Sequence, residues 1–148
     1  MFAAIAVMVF VLDRITKNLV SAQIPFGTEV AVIGHVVGIT NIHNSGMAFG
    51  LAPAAASLFL IGELVVAAGI VVYVVRNPGN VWTDIALGLI LGGTLGNAFD
   101  RIRFGTVTDF VNFHFWPVFN VADSAVSIGV VALAAGYLLR KTPQESGA

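Results

Sequence analysis

The residues best suited to chemistry lie in one stretch, from Gly92 to Ser124. The whole chain holds only eight acidic residues, and three of them fall here: Asp100, Asp109 and Asp123. The same stretch also contains Asn97, Arg101 and Asn120. Charged side chains among apolar segments cost about 3 kcal/mol or more unless they are paired, hydrated or used. This concentration of polar residues therefore predicts a functional site.

Asp109 and Asp123 are the best candidates for a catalytic pair. Two carboxylates held side by side cannot both ionise cheaply, so one keeps its proton while the other stays charged. Such a pair can activate water and donate a hydrogen bond to a carbonyl oxygen, which is the chemistry of amide hydrolysis. The 13 residues between them can form a loop that returns to the same place. Spacing alone leaves open a helix cap at Asp123 and an exposed loop acid at Asp109.

Two further pairs have the i,i+4 spacing that places side chains on one helical face. Asp13 and Lys17 form the first pair, and a buried structural salt bridge is an alternative role for it. Asn97 and Arg101 form the second, and we expect both to point into one cavity. Glu63 stands alone in an apolar segment, as either a neutral, hydrogen-bonded core residue or a proton carrier.

The sequence offers no recognisable metal site. His35, His43 and His114 are not spaced as zinc ligands are, and the chain has no cysteine. The net charge of −1, without clusters of basic residues, argues against a nucleic-acid-binding surface. We therefore expect no metal, no cofactor and no nucleic-acid partner.

The elements that must position these residues are apolar helices. The 148 residues are 57% hydrophobic and 10% charged, with a mean hydropathy of +0.92, whereas soluble domains are about 25% charged. Four stretches reach the length of about 20 apolar residues that crosses a bilayer: 2–20, 54–75, 81–101 and 121–140. The predicted fold is an all-α polytopic membrane protein with four transmembrane helices, in a single membrane domain over residues 1–148.

Four spans place both termini on the same side of the membrane. Arg76, Arg140 and Lys141 favour cytoplasmic termini by the positive-inside rule. The first and third helices then run in the same direction, so the polar residues late in both helices share one membrane face. We expect the polar residues to meet at the outer boundary of the bilayer.

The segment between the first two helices, residues 23–53, predicts a small extracytoplasmic β-sheet. Residues 28–33 and 36–41 are rich in β-branched side chains, and Gly34 and His35 lie between them. An apolar sheet outside the bilayer suits a surface that lies on the membrane or on a lipidic ligand.

Gly88, Gly92 and Gly96 recur at four-residue spacing in the third helix. Such a ridge of small residues permits close helix packing. We expect the ridge to pack within the chain, with a dimer interface as the alternative.

Five short motifs together resemble the lipoprotein signal peptidases of bacterial plasma membranes, also called signal peptidase II. In chain order the motifs are Asp13-Arg-Ile-Thr-Lys17, Asn44-Ser-Gly-Met-Ala-Phe-Gly50, Gly96-Asn-Ala-Phe-Asp-Arg101, Val107-Thr-Asp-Phe110 and Phe119-Asn-Val-Ala-Asp123. Each motif alone is weak, whereas five in this order with four matching spans are specific. The resemblance covers nearly the whole chain.

The resemblance implies an aspartic endopeptidase. This enzyme cleaves the signal peptide from a prolipoprotein, N-terminal to a cysteine that carries a diacylglyceryl group. The matching positions imply that Asp109 and Asp123 are the catalytic dyad. The residues implied to support the dyad or bind substrate are Asp13, Lys17, Asn44, Gly46, Asn97, Arg101 and Asn120. We expect burial and mutual repulsion to raise the pKa of one aspartate, so that the pair shares one proton.

The resemblance also implies partners and a location. The expected partners are lipid-modified prolipoproteins and membrane lipids, with peptide antibiotics of the globomycin type as inhibitors, and the chain is expected to be a monomer. The implied location is the bacterial plasma (inner) membrane, with multiple passes, both termini cytoplasmic and the active site at the outer face. The predicted outer sheet corresponds to the cradle of this family.

Two other functions fit the residues taken without the resemblance. A proton- or ion-coupled transporter would depend on Glu63 and on Asp13 with Lys17. A noncatalytic membrane scaffold would tolerate substitutions at these positions and at both dyad positions. The peptidase predicts instead that Asp109 and Asp123 matter most.

Overall fold

A computed structural model describes residues 1–45, 54–77 and 80–140 of the chain. Most of these residues are helical, and a small antiparallel sheet lies at one end of the helices. The elements in order are α1 (Phe2–Gln23), β1 (Glu29–Ile33), β2 (Val37–Asn44), α2 (Ala54–Arg76), α3 (Val81–Phe104), β3 (Val107–Asn112) and α4 (Val121–Arg140).

The ends of α3 show why the helix starts and stops where it does. Asn80 caps the N-terminus, and its side chain accepts hydrogen bonds from the backbone N–H groups of Trp82, at 2.9 Å, and Thr83, at 3.2 Å. Gly105 ends the helix in the left-handed conformation with φ of 74°, which costs glycine no Cβ clash. The observed helix is three residues longer than the predicted span of 81–101.

The helix α3 packs against each of the other three helices, and its glycines permit the close approach. A Cβ atom added to Gly92 would lie 2.5 Å from the backbone oxygen of Ala6 on α1. A Cβ atom on Gly88 would lie 2.9 Å from the backbone oxygen of Phe2. The glycine ridge therefore packs α3 against α1 within the chain, as predicted.

Among the described residues, two helices are long and apolar enough to cross a membrane: Ala56–Arg76 in α2 and Val121–Leu139 in α4. Only 11% and 17% of their most apolar windows are buried within the protein, so the apolar side chains face outward. The helices α1 and α3 do not meet the same measure, which limits the number of charged residues as well as requiring an apolar stretch, and both helices carry charged residues. The prediction of four spanning helices is thus supported for two of them.

The sheet corrects the sequence-based prediction in one respect. The sequence predicts a sheet built from residues 23–53 alone. The observed strand order is β1-β2-β3, so the third strand comes from the chain after α3. The central strand β2 pairs with β1 on one edge and with β3 on the other, where Ile42 lies opposite Asp109. The fold is therefore mostly helical with a three-stranded antiparallel sheet. Because β3 satisfies the backbone groups on the second edge of β2, the pairing also fixes the position of Asp109.

Candidate active site

Asp109 lies in β3 and is almost completely buried, with 2% of its surface exposed. Its carboxylate accepts two hydrogen bonds from side-chain amides. Asn44, at the end of β2, donates to Oδ2 at 2.9 Å, and Asn120 donates to Oδ1 at 2.7 Å. The alternative of an exposed loop acid at this position is wrong.

Asp123 lies in the first turn of α4 and is partly exposed. Its Oδ1 atom accepts a hydrogen bond of 2.7 Å from the side-chain amide of Asn97, and its Oδ2 atom accepts one of 3.2 Å from the backbone N–H of Asn120. The backbone N–H of Asp123 donates in return to Oδ1 of Asn120 at 2.9 Å. This reciprocal arrangement is a capping box, in which Asn120 is the N-cap residue. Asp123 takes part in the cap through Oδ2, while its Oδ1 atom faces Asn97.

Asn120 joins the two aspartates. Its side chain is completely buried, and its amide nitrogen lies 2.7 Å from Oδ1 of Asp109 and 3.2 Å from Oδ1 of Asn97. The same nitrogen lies 3.3 Å from the backbone oxygen of Thr108. A single buried amide therefore touches Asp109 with its nitrogen and the backbone of Asp123 with its oxygen. The structure thus brings Asp109, Asp123, Asn44, Asn97 and Asn120 together.

Lys17 supports this cluster from α1. Its side chain is 2% exposed, and Nζ donates to Asn97 Oδ1 at 2.9 Å and lies 2.9 Å from Asp13 Oδ2 and 2.8 Å from Asp100 Oδ2. An ammonium group has three protons, and three acceptors surround it here. Because Lys17 holds the amide oxygen of Asn97, the amide nitrogen of Asn97 must face Asp123.

Asp13 connects α1 to the start of α4. It is fully buried, pairs with Lys17 as its spacing predicted, and accepts a hydrogen bond of 3.1 Å from the backbone N–H of Ala122. A carboxylate at this place also suits the partial positive charge of a helix N-terminus. Gly96 makes room for the contact, since a Cβ atom there would lie 2.7 Å from Oδ2 of Asp13.

The electrostatic environment separates the two aspartates. Burial raises the pKa of Asp109 from its ordinary value of 3.8 to about 6, and the charge of Asp123 acts in the same direction. The hydrogen bonds from Asn44 and Asn120 and the charge of Lys17 lower the pKa and so limit the rise. Asp109 therefore keeps its proton to a higher pH than an ordinary aspartate does.

Comparison with known proteins identifies the group to which this site belongs. The family model for signal peptidase (SPase) II matches residues 5–139. The lipoprotein signal peptidase of Halothermothrix orenii is 39% identical over 129 residues, which cover 87% of this chain and 89% of that protein. The chain belongs to the signal peptidase II family. The lipoprotein signal peptidase of Pseudomonas aeruginosa is 37% identical and covers 96% of this chain and 90% of its own length.

A solved structure agrees with this membership. A bacterial membrane enzyme determined by the in meso method at 2.3 Å resolution superposes with a TM-score of 0.88 and 28% identity. The superposition covers 99% of this chain and 93% of the other. As a signal peptidase II, the chain is a bacterial membrane protease of lipoprotein processing, which decides against the transporter and the scaffold.

The sequence placed Asp100 in the polar stretch of the predicted site but assigned neither Asp100 nor Arg14 a specific role. Asp100 is 1% exposed, pairs with Lys17 and Arg14, and accepts a hydrogen bond of 3.3 Å from the backbone N–H of Thr108. Arg14 also pairs with Asp13 at 3.0 Å. The available signal was the i,i+3 spacing of Asn97 and Asp100, which places both on the face of α3 that meets Lys17.

Arg101 and Asn97 contact different helices. Arg101 forms an ion pair with Glu63 of α2, and its guanidinium lies 5.4 Å from the ring centre of Phe59. Glu63 is therefore hydrogen-bonded to a charged partner on a neighbouring helix. Residues at i and i+4 of one helix share a face, but Asn97 faces α1 and α4 whereas Arg101 faces α2.

Two further predictions concern Gly46 and metal binding. Gly46 lies outside the described residues. Within the ranges 1–45, 54–77 and 80–140, no group of three or more His, Asp or Glu side chains could hold a metal ion.

Proposed function

We propose that this signal peptidase II is an aspartic endopeptidase whose dyad is Asp109 and Asp123. The substrate would be a diacylglyceryl-modified prolipoprotein, cleaved N-terminal to the lipidated cysteine. The observation that carries the proposal is the buried amide of Asn120, which contacts Asp109 through its nitrogen and the Asp123 backbone through its oxygen. Two carboxylates on different elements are thereby held at one place.

The environments of the two aspartates suggest that one acts as the general base and the other as the general acid. Asp123 is partly exposed and lies at a helix N-terminus, where negative charge is favourable, so it is the base that takes a proton from water. Asp109 is buried with a raised pKa, so it is the acid that protonates the carbonyl oxygen. Water adds to the carbonyl carbon and gives a gem-diol intermediate. The C–N bond then breaks as the proton on Asp123 passes to the leaving amine, and one hydroxyl of the gem-diol returns its proton to Asp109.

The neighbouring polar residues support the dyad in distinct ways. Asn44 and Asn97 each donate a hydrogen bond to one carboxylate, and so fix its orientation. Lys17 holds Asn97, and Asp13 holds the backbone at the start of α4. Arg101 lines the adjacent cavity together with Ser57 and Thr106, so it is placed to orient the substrate peptide.

The membrane arrangement follows from the apolar exteriors of the helices. All four helices would span the plasma (inner) membrane as one domain, with both termini cytoplasmic and the sheet and dyad at the outer face. A substrate held by its acyl chains and signal helix would then reach the dyad laterally from the bilayer. Peptide antibiotics of the globomycin type would compete for this site, and the chain would act as a monomer.

The decisive experiment is cleavage of a diacylglyceryl-modified prolipoprotein peptide by the full chain purified in detergent, with EDTA present. We expect wild-type protein to cleave, and Asp109→Asn and Asp123→Asn to lose at least about a thousandfold in rate because each removes the acid or the base. The matched control is Asp84→Asn, since Asp84 lies in the first turn of α3, far along the helix from the dyad. Normal cleavage by either folded dyad variant would disprove the aspartic mechanism.

A further inference from the structure

Glu63 is a charged residue that the proposed mechanism does not use. It is the only acidic residue of α2, and only 11% of the most apolar window of that helix is buried. A carboxylate in a spanning segment is costly and calls for a partner or a function. The partner is Arg101 of α3, and both side chains are largely buried, with 18% and 12% of their surfaces exposed.

The contact between Glu63 and Arg101 is incomplete. One guanidinium nitrogen, Nη1, bonds one carboxylate oxygen, Oε1, whereas Arg and carboxylate groups often form two parallel bonds. The Nε atom of Arg101 and the Oε2 atom of Glu63 are buried and have no hydrogen-bond partner among the described residues. An arrangement built only for stability would satisfy both atoms, because an unpaired buried polar atom costs about 1–3 kcal/mol.

The helix α2 holds the guanidinium at two points. Phe59 and Glu63 are four residues apart and share one face of α2, where the ring of Phe59 lies 5.4 Å from the guanidinium carbon of Arg101. Arg101 also lines a cavity of about 440 Å³ with Ser57, Leu60 and Thr106. Thr106 lies immediately before β3, the strand that carries Asp109. The cavity therefore connects the Glu63–Arg101 pair with the dyad strand.

We propose that Glu63 is a positioning residue that holds Arg101 at this cavity for contact with the substrate peptide. The guanidinium of Arg101 lines the cavity and carries only N–H donors, which match the carbonyl oxygens of an extended peptide. Glu63 acts through Arg101 and does not touch the reacting atoms. This inference rests on the proposed function, in which Arg101 orients the scissile peptide.

The test is a double-mutant cycle on the full chain in detergent, with the prolipoprotein peptide as substrate. We expect Glu63→Gln to lower kcat/KM about tenfold, because a misplaced orienting group loses that order of rate. Gln keeps the size and an acceptor oxygen but removes the charge that holds Arg101. In the Arg101→Gln background the same change should alter kcat/KM less than about twofold, since residues that act together are not additive.

The control and the contrary outcomes separate this role from a structural one. Val65→Ala, on the exposed face of α2, should leave kcat/KM and the unfolding midpoint unchanged. Equal losses from Glu63→Gln in both backgrounds, or no loss in wild type, would overturn the inference. Normal cleavage by Arg101→Gln would overturn it as well.

A third variant covers a failure of Glu63→Gln to fold. Glu63→Asp keeps the charge but withdraws it by one methylene, so it should lower kcat/KM and raise KM while the protein folds. Full activity in Glu63→Asp would contradict a positioning role. Because the dyad variants are measured in the same assay, their inactivity would leave the aspartic mechanism intact even if the Glu63 inference failed.

Discussion

Asn120 and Asp123 cap the first turn of α4 reciprocally. The Asn120 side chain accepts a hydrogen bond of 2.9 Å from the backbone N–H of Asp123. The Asp123 carboxylate accepts one of 3.2 Å from the backbone N–H of Asn120. A capping box usually does no more than start a helix. Here the amide nitrogen of Asn120 also donates to Asp109 at 2.7 Å, so the start of α4 sets the position of both aspartates.

Asn120→Ser should separate the capping role from the bridging role. Serine caps a helix as well as asparagine does, but its shorter side chain cannot reach Asp109. We expect α4 to form normally while kcat/KM falls about a hundredfold, because the aspartates lose their common contact. Cleavage kinetics and thermal unfolding measure the two effects. Asn80→Ser, the same change at the N-cap of α3, should leave cleavage unchanged, and equal losses in both variants would contradict the bridging role.

The pH dependence of cleavage should reflect the raised pKa of Asp109. If Asp109 is the acid, it must be protonated, and its proton is lost as the pH rises through about 6. We therefore expect kcat/KM to fall on the alkaline side of about pH 6, about tenfold per pH unit. A profile that rises steadily above pH 7 would show that Asp109 is not the acid.

Asn44→Leu should move the alkaline limb of that profile. The hydrogen bond from Asn44 stabilises the ionised form of Asp109 and so lowers its pKa. Leucine has a similar volume and cannot donate, so the pKa of Asp109 and the alkaline limb should shift to higher pH. Asn112→Leu is the control, because Asn112 lies in β3 with Asp109 but donates its side-chain hydrogen bond to Glu29. If the alkaline decline of kcat/KM in Asn44→Leu stayed at the same pH or moved to lower pH, Asp109 would not be the group that Asn44 stabilises in this decline.

Local sequence patterns predicted the parts of the structure that depend on neighbours along the chain. The i,i+4 spacing of Asp13 and Lys17 gave their contact directly, because helix geometry fixes which side chains share a face. The apolar stretches predicted the four helices. Asp109 and Asp123 both contact the side chain of Asn120, and this required only that the loop between them bring the chain back to β3.

The contacts between distant elements could not be read in the same way. The i,i+4 spacing predicts that Arg101 shares a helical face with Asn97. It does not show which neighbouring helix each side chain contacts, and Arg101 pairs with Glu63 on α2. The third strand was missed because pairing of β3 with β2 depends on where α3 ends. Lys17 has three acceptors from α1 and α3. The i,i+3 spacing places Asn97 and Asp100 on one face of α3, but it does not show that this face meets Lys17.

Gly92→Ala should loosen the packing of α1 on α3. A Cβ atom at Gly92 would lie 2.5 Å from the backbone oxygen of Ala6 and 2.7 Å from Cβ of Val9, and neither can move without shifting α1. We expect the free energy of unfolding to fall by about 1–3 kcal/mol, the usual cost of an overpacked site.

The same substitution should also reduce activity, because Lys17 and Asp13 are carried by α1. A shift of α1 lengthens the contact between Lys17 and Asn97, which is 2.9 Å, and so releases the amide that orients Asp123. Gly69→Ala is the matched control in α2, since a Cβ atom there would meet nothing within 4 Å. Thermal unfolding in detergent and kcat/KM should both fall for Gly92→Ala and stay unchanged for Gly69→Ala. A Gly92→Ala protein with normal stability would show that α1 and α3 tolerate a wider separation than their glycines indicate.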